Sequence, residues 1–397
     1  MAVVSTSRKL TALVLLTNGV MLAINAVSSM YVARHLGINS FANYSTMVSF
    51  ATVFGISLRG VQFLMVDDYS AYRPNTVTPY AIHGPETIIT FLFQLGLILA
   101  VLSPVIAIIL DVSIGLVLIG IMIILSFGLQ SSAAGKYLGL GRFGRLQAFL
   151  TLGTCLQLPL LFIGGLKSLG TGFFLSILII PSLLIWLMVE VTVNDIQVTV
   201  TRMSWKNIFE TGFNLGIAAL STNTYLLLAG NTFRGDQRGA LSGLAIILTT
   251  ATGLAISMSM LLSRETSVDR RRTGTIPRLH NVGKYILFCS IVPMFGFLIV
   301  ALNQAPIKWI FGAEFSGVLT DTTLIFATLG FVPWGFVSVV LFDRGSAYSI
   351  KKFMPISIVA IMNCLLLILS DPKTSGFIAI NGVLGLLAAA LILSINV

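Results

Sequence analysis

A run of 24 residues from Leu10 to Ala33 carries no charge. At about 1.5 Å per residue, a helix of that length spans a bilayer core of about 30 Å. A short polar turn follows, Arg34 to Ser40, and a second apolar run goes on from Phe41 to Val66. In lipid, every backbone N–H and C=O must be satisfied within its own segment or in a closed barrel. Barrel strands would alternate over ~10-residue segments. These runs are continuous, so they are read as helices.

The rest of the chain repeats the pattern. Hydrophobic residues make up 56% of it and charged residues 10%, with a mean hydropathy of +0.96. A soluble chain could not bury that much apolar surface. The sequence predicts an all-α polytopic membrane protein of about twelve spans. They cover 10–33, 41–66, 86–110, 112–134, 145–166, 169–193, 207–230, 239–263, 281–303, 315–342, 353–370 and 374–396. Spans 3 and 4 are separated mainly by Asp111, and spans 5 and 6 by Lys167-Ser168. Arg8 and Lys9 ahead of the first run look like a signal peptide. The run is too long for a typical signal core, so it is kept as a first span.

Net charge is +10. The basic residues sit in the links, which argues for orientation by the positive-inside rule and against nucleic acid. With the N-terminus cytoplasmic, inside segments hold 18 Lys and Arg and outside segments hold 6. That asymmetry predicts both termini on the cytoplasmic side. The longest polar links are Asp67–Pro85 and Arg264–His280. The second carries Arg270-Arg271-Arg272, a topology signal that also suits anionic membrane lipids.

Most catalytic chemistry has nothing to stand on here. Cys155, Cys289 and Cys364 each fall inside a span and read as small apolar residues. His35, His83 and His280 lie near span ends, and no metal, Walker or nucleophile-elbow motif occurs. The reading is therefore a non-enzyme with no cofactor and no metal.

Twelve spans divide into two lobes of six, residues 1–200 and 201–397. An offset of 197 sets spans 1 and 2 on spans 7 and 8. Between 25 and 60 only Ser45 with Ser242 and Thr52 with Thr249 are then identical, so the layout repeats and the sequence does not. Both leading helices carry polar groups: Asn18 and Asn25 in one, Asn214, Ser221, Thr222, Asn223 and Thr224 in the other. Each is followed by an arginine-bearing turn, Arg34 in the first half, Arg234 and Arg238 in the second. Two readings stand side by side. Such groups line a shared cavity, or they hold helix to helix at about 0.6 kcal/mol per contact.

Arg59 is the most informative charge. It sits within the apolar stretch Phe50–Val66, where an arginine costs ~2.5–3.5 kcal/mol at mid-membrane and less if it snorkels. It contacts an anion in the cavity or snorkels to the inner interface; Gln62, three residues on, shares its face. No Asp or Glu falls near the middle of a span; Glu190, Glu210 and Asp343 lie near ends. Cation-coupled exporters keep an embedded carboxylate. Excess arginine suits an anionic, phosphate-linked substrate instead. Gln94, Gln130 and Gln157 read as interhelical contacts.

Ala33-Arg34-His35-Leu36-Gly37, then Phe41-Ala42-Asn43-Tyr44, resembles the opening of bacterial polysaccharide flippases. These Wzx-type O-antigen transporters belong to the superfamily that includes MATE exporters and lipid II flippases. Ala42 stands where that family usually has Gly. Leu138-Gly139-Leu140-Gly141-Arg142-Phe143 is similar to the family's inner loop. The resemblance implies translocation of an undecaprenyl-diphosphate-linked oligosaccharide across the bacterial cytoplasmic membrane, through a cationic cavity that opens alternately. Arg34, Arg59 and Arg234 would meet the diphosphate. Asn18, Asn25, Asn214 and Asn223, with Gln62, would line the cavity toward the sugars. It also implies partners in the polymerase and glycosyltransferase machinery. The alternatives are a MATE-like small-molecule exporter, a membrane polymerase or ligase, and a major-facilitator transporter. The last two are disfavoured by short external links and by the absence of a long central link.

Overall fold

The computed structural model describes residues 8–71, 81–82, 85–193, 199–200, 205–227, 236–239, 241–243, 246, 291, 308, 311–315, 332–344, 350–369 and 375–394. The elements are α1 (Arg8–Ser57), α2 (Arg59–Ala71), α3 (Pro85–Leu110), α4 (Ile114–Gly139), α5 (Phe143–Leu166), α6 (Thr171–Ser176), α7 (Ile179–Val193) and α8 (Trp205–Leu227). A 3-10 turn at Ala313–Phe315 precedes α9 (Val332–Arg344), α10 (Ile350–Leu369) and α11 (Ser375–Ser394). The expected helical membrane architecture is present, with one addition. Ala81–Ile82 pairs in parallel with Thr199–Val200, tying the link after α2 to the link before α8. All of span 9 but residue 291, most of span 8 and the first part of span 10 lie outside the described residues.

Among the described residues, five helical stretches are long and apolar enough to cross a membrane: Leu16–Val66, Glu86–Leu110, Ile114–Gly139, Phe143–Leu166 and Thr171–Val193. The first has 51 residues, roughly 75 Å of helix and more than twice a bilayer core. It contains two crossings. Gly37, at φ 71 and ψ 167, breaks it inside the expected Arg34–Ser40 turn. That left-handed φ suits glycine, and a Cβ there would stand 3.2 Å from Glu314 Oε2.

The next three turns share one device. After α3, the Val112 N–H donates to the Ala107 carbonyl and the Asp111 N–H to the Ile108 carbonyl. The same pair of bonds closes α4, from Arg142 to Tyr137 and from Gly141 to Leu138. It closes α5 as well, from Leu169 to Gly164 and from Ser168 to Gly165. Each is a Schellman cap with a left-handed residue at its centre: Asp111, Gly141 and Ser168. The expected breaks at Asp111 and at Lys167-Ser168 are therefore real helix ends.

Two boundaries differ from expectation. The span expected over 169–193 bends between α6 and α7. Pro181 has no N–H to give the Ile177 carbonyl, and its ring crowds that carbonyl. The link expected to begin at Asp67 begins later, because α2 runs on to Ala71 with Tyr69 buried under it.

Packing shows which faces meet lipid. On α3, Phe93, Leu97, Val101, Val105 and Ile108 form an exposed stripe at helical spacing, with Val101 and Ile108 each 79% exposed. In water such a stripe would be a liability; here it is the surface presented to acyl chains. Its other face packs on α4, which also packs against α1, α2 and α7.

In the second group α9 and α10 pack against α8, α11 packs on α9 and α10, and α8 packs against α1 and α2. The pairing is antiparallel. Thr46 donates to the Leu226 carbonyl at 3.4 Å at one end of the crossing, and Gly60 meets Gly212 at the other. Between α1 and α2 the ladder is interrupted. Val61 N–H donates to the Leu58 carbonyl, and the Ser57 hydroxyl bonds back to Val53, a back-bond that bends helices. The Ser57 carbonyl lies where a Cβ on Gly212 would approach to 2.3 Å. Neither backbone can yield, so Gly212→Ala is expected to lower the unfolding temperature by several degrees, the effect of about 1–3 kcal/mol of overpacking. Gly115→Ala, where a Cβ meets nothing within 4 Å, is expected to leave it unchanged. Thermal unfolding of the purified protein in one detergent compares the two.

Candidate functional site

The polar residues expected to line a cavity fall into three settings. Arg59 begins α2, half-buried, one residue from the contact of Gly60 with Gly212. Gln62 is half-buried one turn on, with its backbone carbonyl against α4, 2.5 Å from where a Cβ on Gly135 would stand. Asn214, two residues past Gly212 on α8, is fully buried. Gln62 therefore lies against α4, one turn along α2, while Arg59 and Asn214 flank the α2–α8 crossing. There the helices touch directly, so no water-filled gap separates them at the described residues.

Asn18 and Asn25 belong to the first crossing of α1. Asn18 is buried and Asn25 exposed. Beside Asn18, the Thr17 hydroxyl donates to Gln147 Oε1 at 3.1 Å, linking α1 to α5. Asn223, buried on α8, spends its amide donors locally, on the Ala219 carbonyl at 2.8 Å and the Thr222 hydroxyl at 3.2 Å. Arg34 is exposed near the Gly37 turn, away from the α2–α8 crossing. Arg234 and the Arg270-Arg271-Arg272 cluster lie outside the described residues.

Several polar groups were not singled out by sequence. Lys136, counted among link residues, is inside α4, almost wholly buried, and ion-paired with Glu190 of α7. The neighbouring Tyr137 and Thr192 hydroxyls lie 2.5 Å apart. Glu190 is also felt by Tyr69 at the end of α2, whose phenol is pushed up to about 12, first by burial, then by the negative charges of Glu190 and Asp68. One signal did exist: Lys136 follows Ala133-Ala134-Gly135, small residues that suit close helix packing rather than a loop. Gln130 accepts from the Ser182 hydroxyl at 2.8 Å, the interhelical role expected of it.

Arg238 is the other surprise. Expected only as a turn residue, it is buried and reaches back to the first half of the chain. It donates to the Leu110 carbonyl at 3.1 Å, the Thr46 hydroxyl at 3.3 Å and Asp111 Oδ2 at 3.4 Å. Gly239 beside it presses on Ile38, whose Cγ1 a Cβ would approach to 2.3 Å. The Ile38 N–H donates to Glu314 Oε2 at 3.3 Å. The two halves are thus joined at both ends of the α1–α8 crossing, by backbone contact at Gly212 and by side-chain hydrogen bonds around Arg238.

Chemically, the described residues supply ion pairs and hydrogen bonds between helices. Among the described residues no three His, Cys, Asp or Glu gather as a metal site. The carboxylate nearest the middle of the first-half helices, Glu190, already carries a counter-ion. Removing one partner of such a pair leaves a buried charge, at a cost of about 3–5 kcal/mol. Lys136→Met is expected to destabilise by that amount, and Lys136→Met with Glu190→Leu to recover most of it. A double-mutant cycle of unfolding free energies measures both.

No protein-family model and no curated protein matches the sequence. Solved structures do match. A multidrug resistance MATE family transporter of the MOP superfamily, in an inward-facing conformation, superposes with a TM-score of 0.61 at 14% identity, covering 96% of this chain and 97% of that one. The lipid II flippase MurJ, in an inward closed conformation, gives 0.63 at 14% identity, covering 96% and 87%. An outward-facing MATE family transporter gives 0.58 at 15%, covering 96% and 93%. At these identities the likeness is one of fold. This chain is a multi-pass helical membrane protein with the fold shared by MATE transporters of the MOP superfamily and the lipid II flippase.

Proposed function

We propose that this protein is a transporter of the flippase kind. It moves a lipid-linked oligosaccharide, carried on undecaprenyl diphosphate, across the bacterial cytoplasmic membrane by alternating access between an N-terminal lobe (1–200) and a C-terminal lobe (201–397). The observation that carries this reading is the balance of charge within the spans. Arg59 stands inside an apolar stretch at the contact of the two halves, while Glu190 is neutralised by Lys136. With that pair neutral, the charge these spans carry is net positive, which suits a diphosphate once the helix packing rearranges. The fold supports movement: the lipid II flippase and the MATE transporters share it over most of the chain.

In this reading Arg59 and Arg34, with Arg234, attract the diphosphate, and Gln62, Asn18, Asn25, Asn214 and Asn223 offer polar contacts to sugars. Bond donors held by their own helix, such as those of Asn223, serve only after the helix packing rearranges. The closed α2–α8 crossing is one end state of the cycle, and separation of the two halves there opens the path. The cytoplasmic placement of both termini follows from the basic-residue count.

The second reading is a small-molecule exporter, favoured by the MATE structures among the neighbours. Its ordinary requirement, an embedded carboxylate free to titrate, is not met by the ion-paired Glu190.

The two readings part in a deletion strain. Loss of the protein is expected to leave lipid-linked oligosaccharide on the inner leaflet and to remove surface polysaccharide. Arg59→Ala is expected to fail to restore it, with transport reduced at least tenfold, whereas Arg59→Lys restores part. Normal surface glycan with increased drug sensitivity establishes the exporter instead.

A further inference from the structure

We infer that the cavity between Ala33-Arg34, ahead of the Gly37 turn, and Lys308, Phe311, Gly312, Glu314 and Phe315 binds a phosphate group, with Arg34 and Lys308 supplying the positive charge. The cavity has a volume of about 380 Å³, at the small end of ligand sites, which run from about 300 to 1,000 Å³. Arg34 and Lys308 both line it, and among the described residues neither is in a salt bridge. Two cations against one acid, Glu314, leave this small concavity with a net positive charge. A guanidinium fork and an ammonium are the pair that phosphate chemistry uses most readily.

The rest of the lining accounts for the shape. Gly312, at φ +106, turns the chain so that its backbone runs beside Arg34; a Cβ there would sit 4.0 Å from Arg34 Cγ. Phe311 and Phe315 are buried behind it, with rings 5.6 Å apart, and Phe41 closes on Phe315 at 6.1 Å. Glu314 also lines the cavity, and its carboxylate opposes an anion. Its Oε2 accepts the Ile38 N–H at 3.3 Å, which holds that acid on the turn. The wall is thus aromatic, the rim carries two cations, and the one acid is anchored to backbone. That combination fits the phosphate of an amphiphile at a membrane face better than a fully hydrated ion. The inference rests on the transport reading for its role: on the expected topology this face is the outer one, where a phosphate-linked lipid would leave.

The test uses the full-length protein in nanodiscs of phosphatidylcholine, with a polyprenyl phosphate, phosphatidylglycerol and inorganic phosphate as separate probes. Binding of the polyprenyl phosphate is expected to weaken at least tenfold in Arg34→Gln with Lys308→Gln, the loss of charge-assisted bonds. Arg34→Lys with Lys308→Arg is expected to keep most of it, and Glu314→Gln to tighten it. Unchanged binding in the double Gln variant overturns the inference. Arg34 and Lys308 are both exposed, so the substitutions leave the fold intact, and an unchanged unfolding temperature verifies this. Equal binding of inorganic phosphate assigns the site to the free anion; binding only when the phosphate carries a lipid assigns it to a headgroup. A wild-type protein that binds phosphate here but flips no lipid-linked sugar defeats the transport reading and leaves the site standing. A protein that flips, and whose phosphate binding ignores Arg34 and Lys308, defeats the site alone.

Discussion

Two backbones meet with no side chain between them where Ser57 faces Gly212, and the arrangement of the helices follows from that contact. A helix that carried only large residues would stand off by the width of a side chain. In lipid, where no hydrophobic drive pulls helices together, close approach is what earns packing energy. Gly60, Gly212 and Gly216 allow it, and the interrupted ladder at Leu58 turns the Ser57 carbonyl to the neighbour. The same break starts α2, and so fixes where Arg59 sits.

Charge is distributed around that contact in a way that follows from the cost of burying ions. Lys136 and Glu190 lie close to apolar helices and neutralise each other, so their burial does not demand a ligand. Tyr137 and Thr192 extend the polar contact along the same two helices. Arg34 and Lys308 lie at a face, where water or an anion solvates them. The buried pair Lys136 and Glu190 is thus matched, while Arg34 and Lys308 stand exposed at a face.

Hydropathy along the chain was enough to place α3 to within a residue of its expected start and to put a turn between Arg34 and Ser40. Breaks at Asp111 and Ser168 were legible because a polar residue interrupts an apolar run. Their left-handed geometry was not, since neither is glycine. The bend at Ile177–Leu178 has a local cause in Pro181 and was readable in principle. What could not be read were the partnerships: Lys136 with Glu190 is 54 residues distant in sequence, and Arg238 with Asp111 is 127. Such pairs depend on which helix lies beside which, and periodicity within one segment carries no information about that. Asn25 illustrates the converse. Its polarity in a span suggested a cavity or interhelical role, and it sits on an exposed face of α1.

The hydrogen-bonding of Arg238 is incomplete, and that has an energetic consequence. Its two terminal nitrogens are satisfied, but Nε is buried with no partner, and an unmade bond of that kind costs about 1–3 kcal/mol. Water reaching Nε on separation would recover that cost and offset part of the three bonds broken. The fastening between the halves is accordingly shallow. Arg238 therefore specifies which helices lie side by side more than it adds to how tightly they are held.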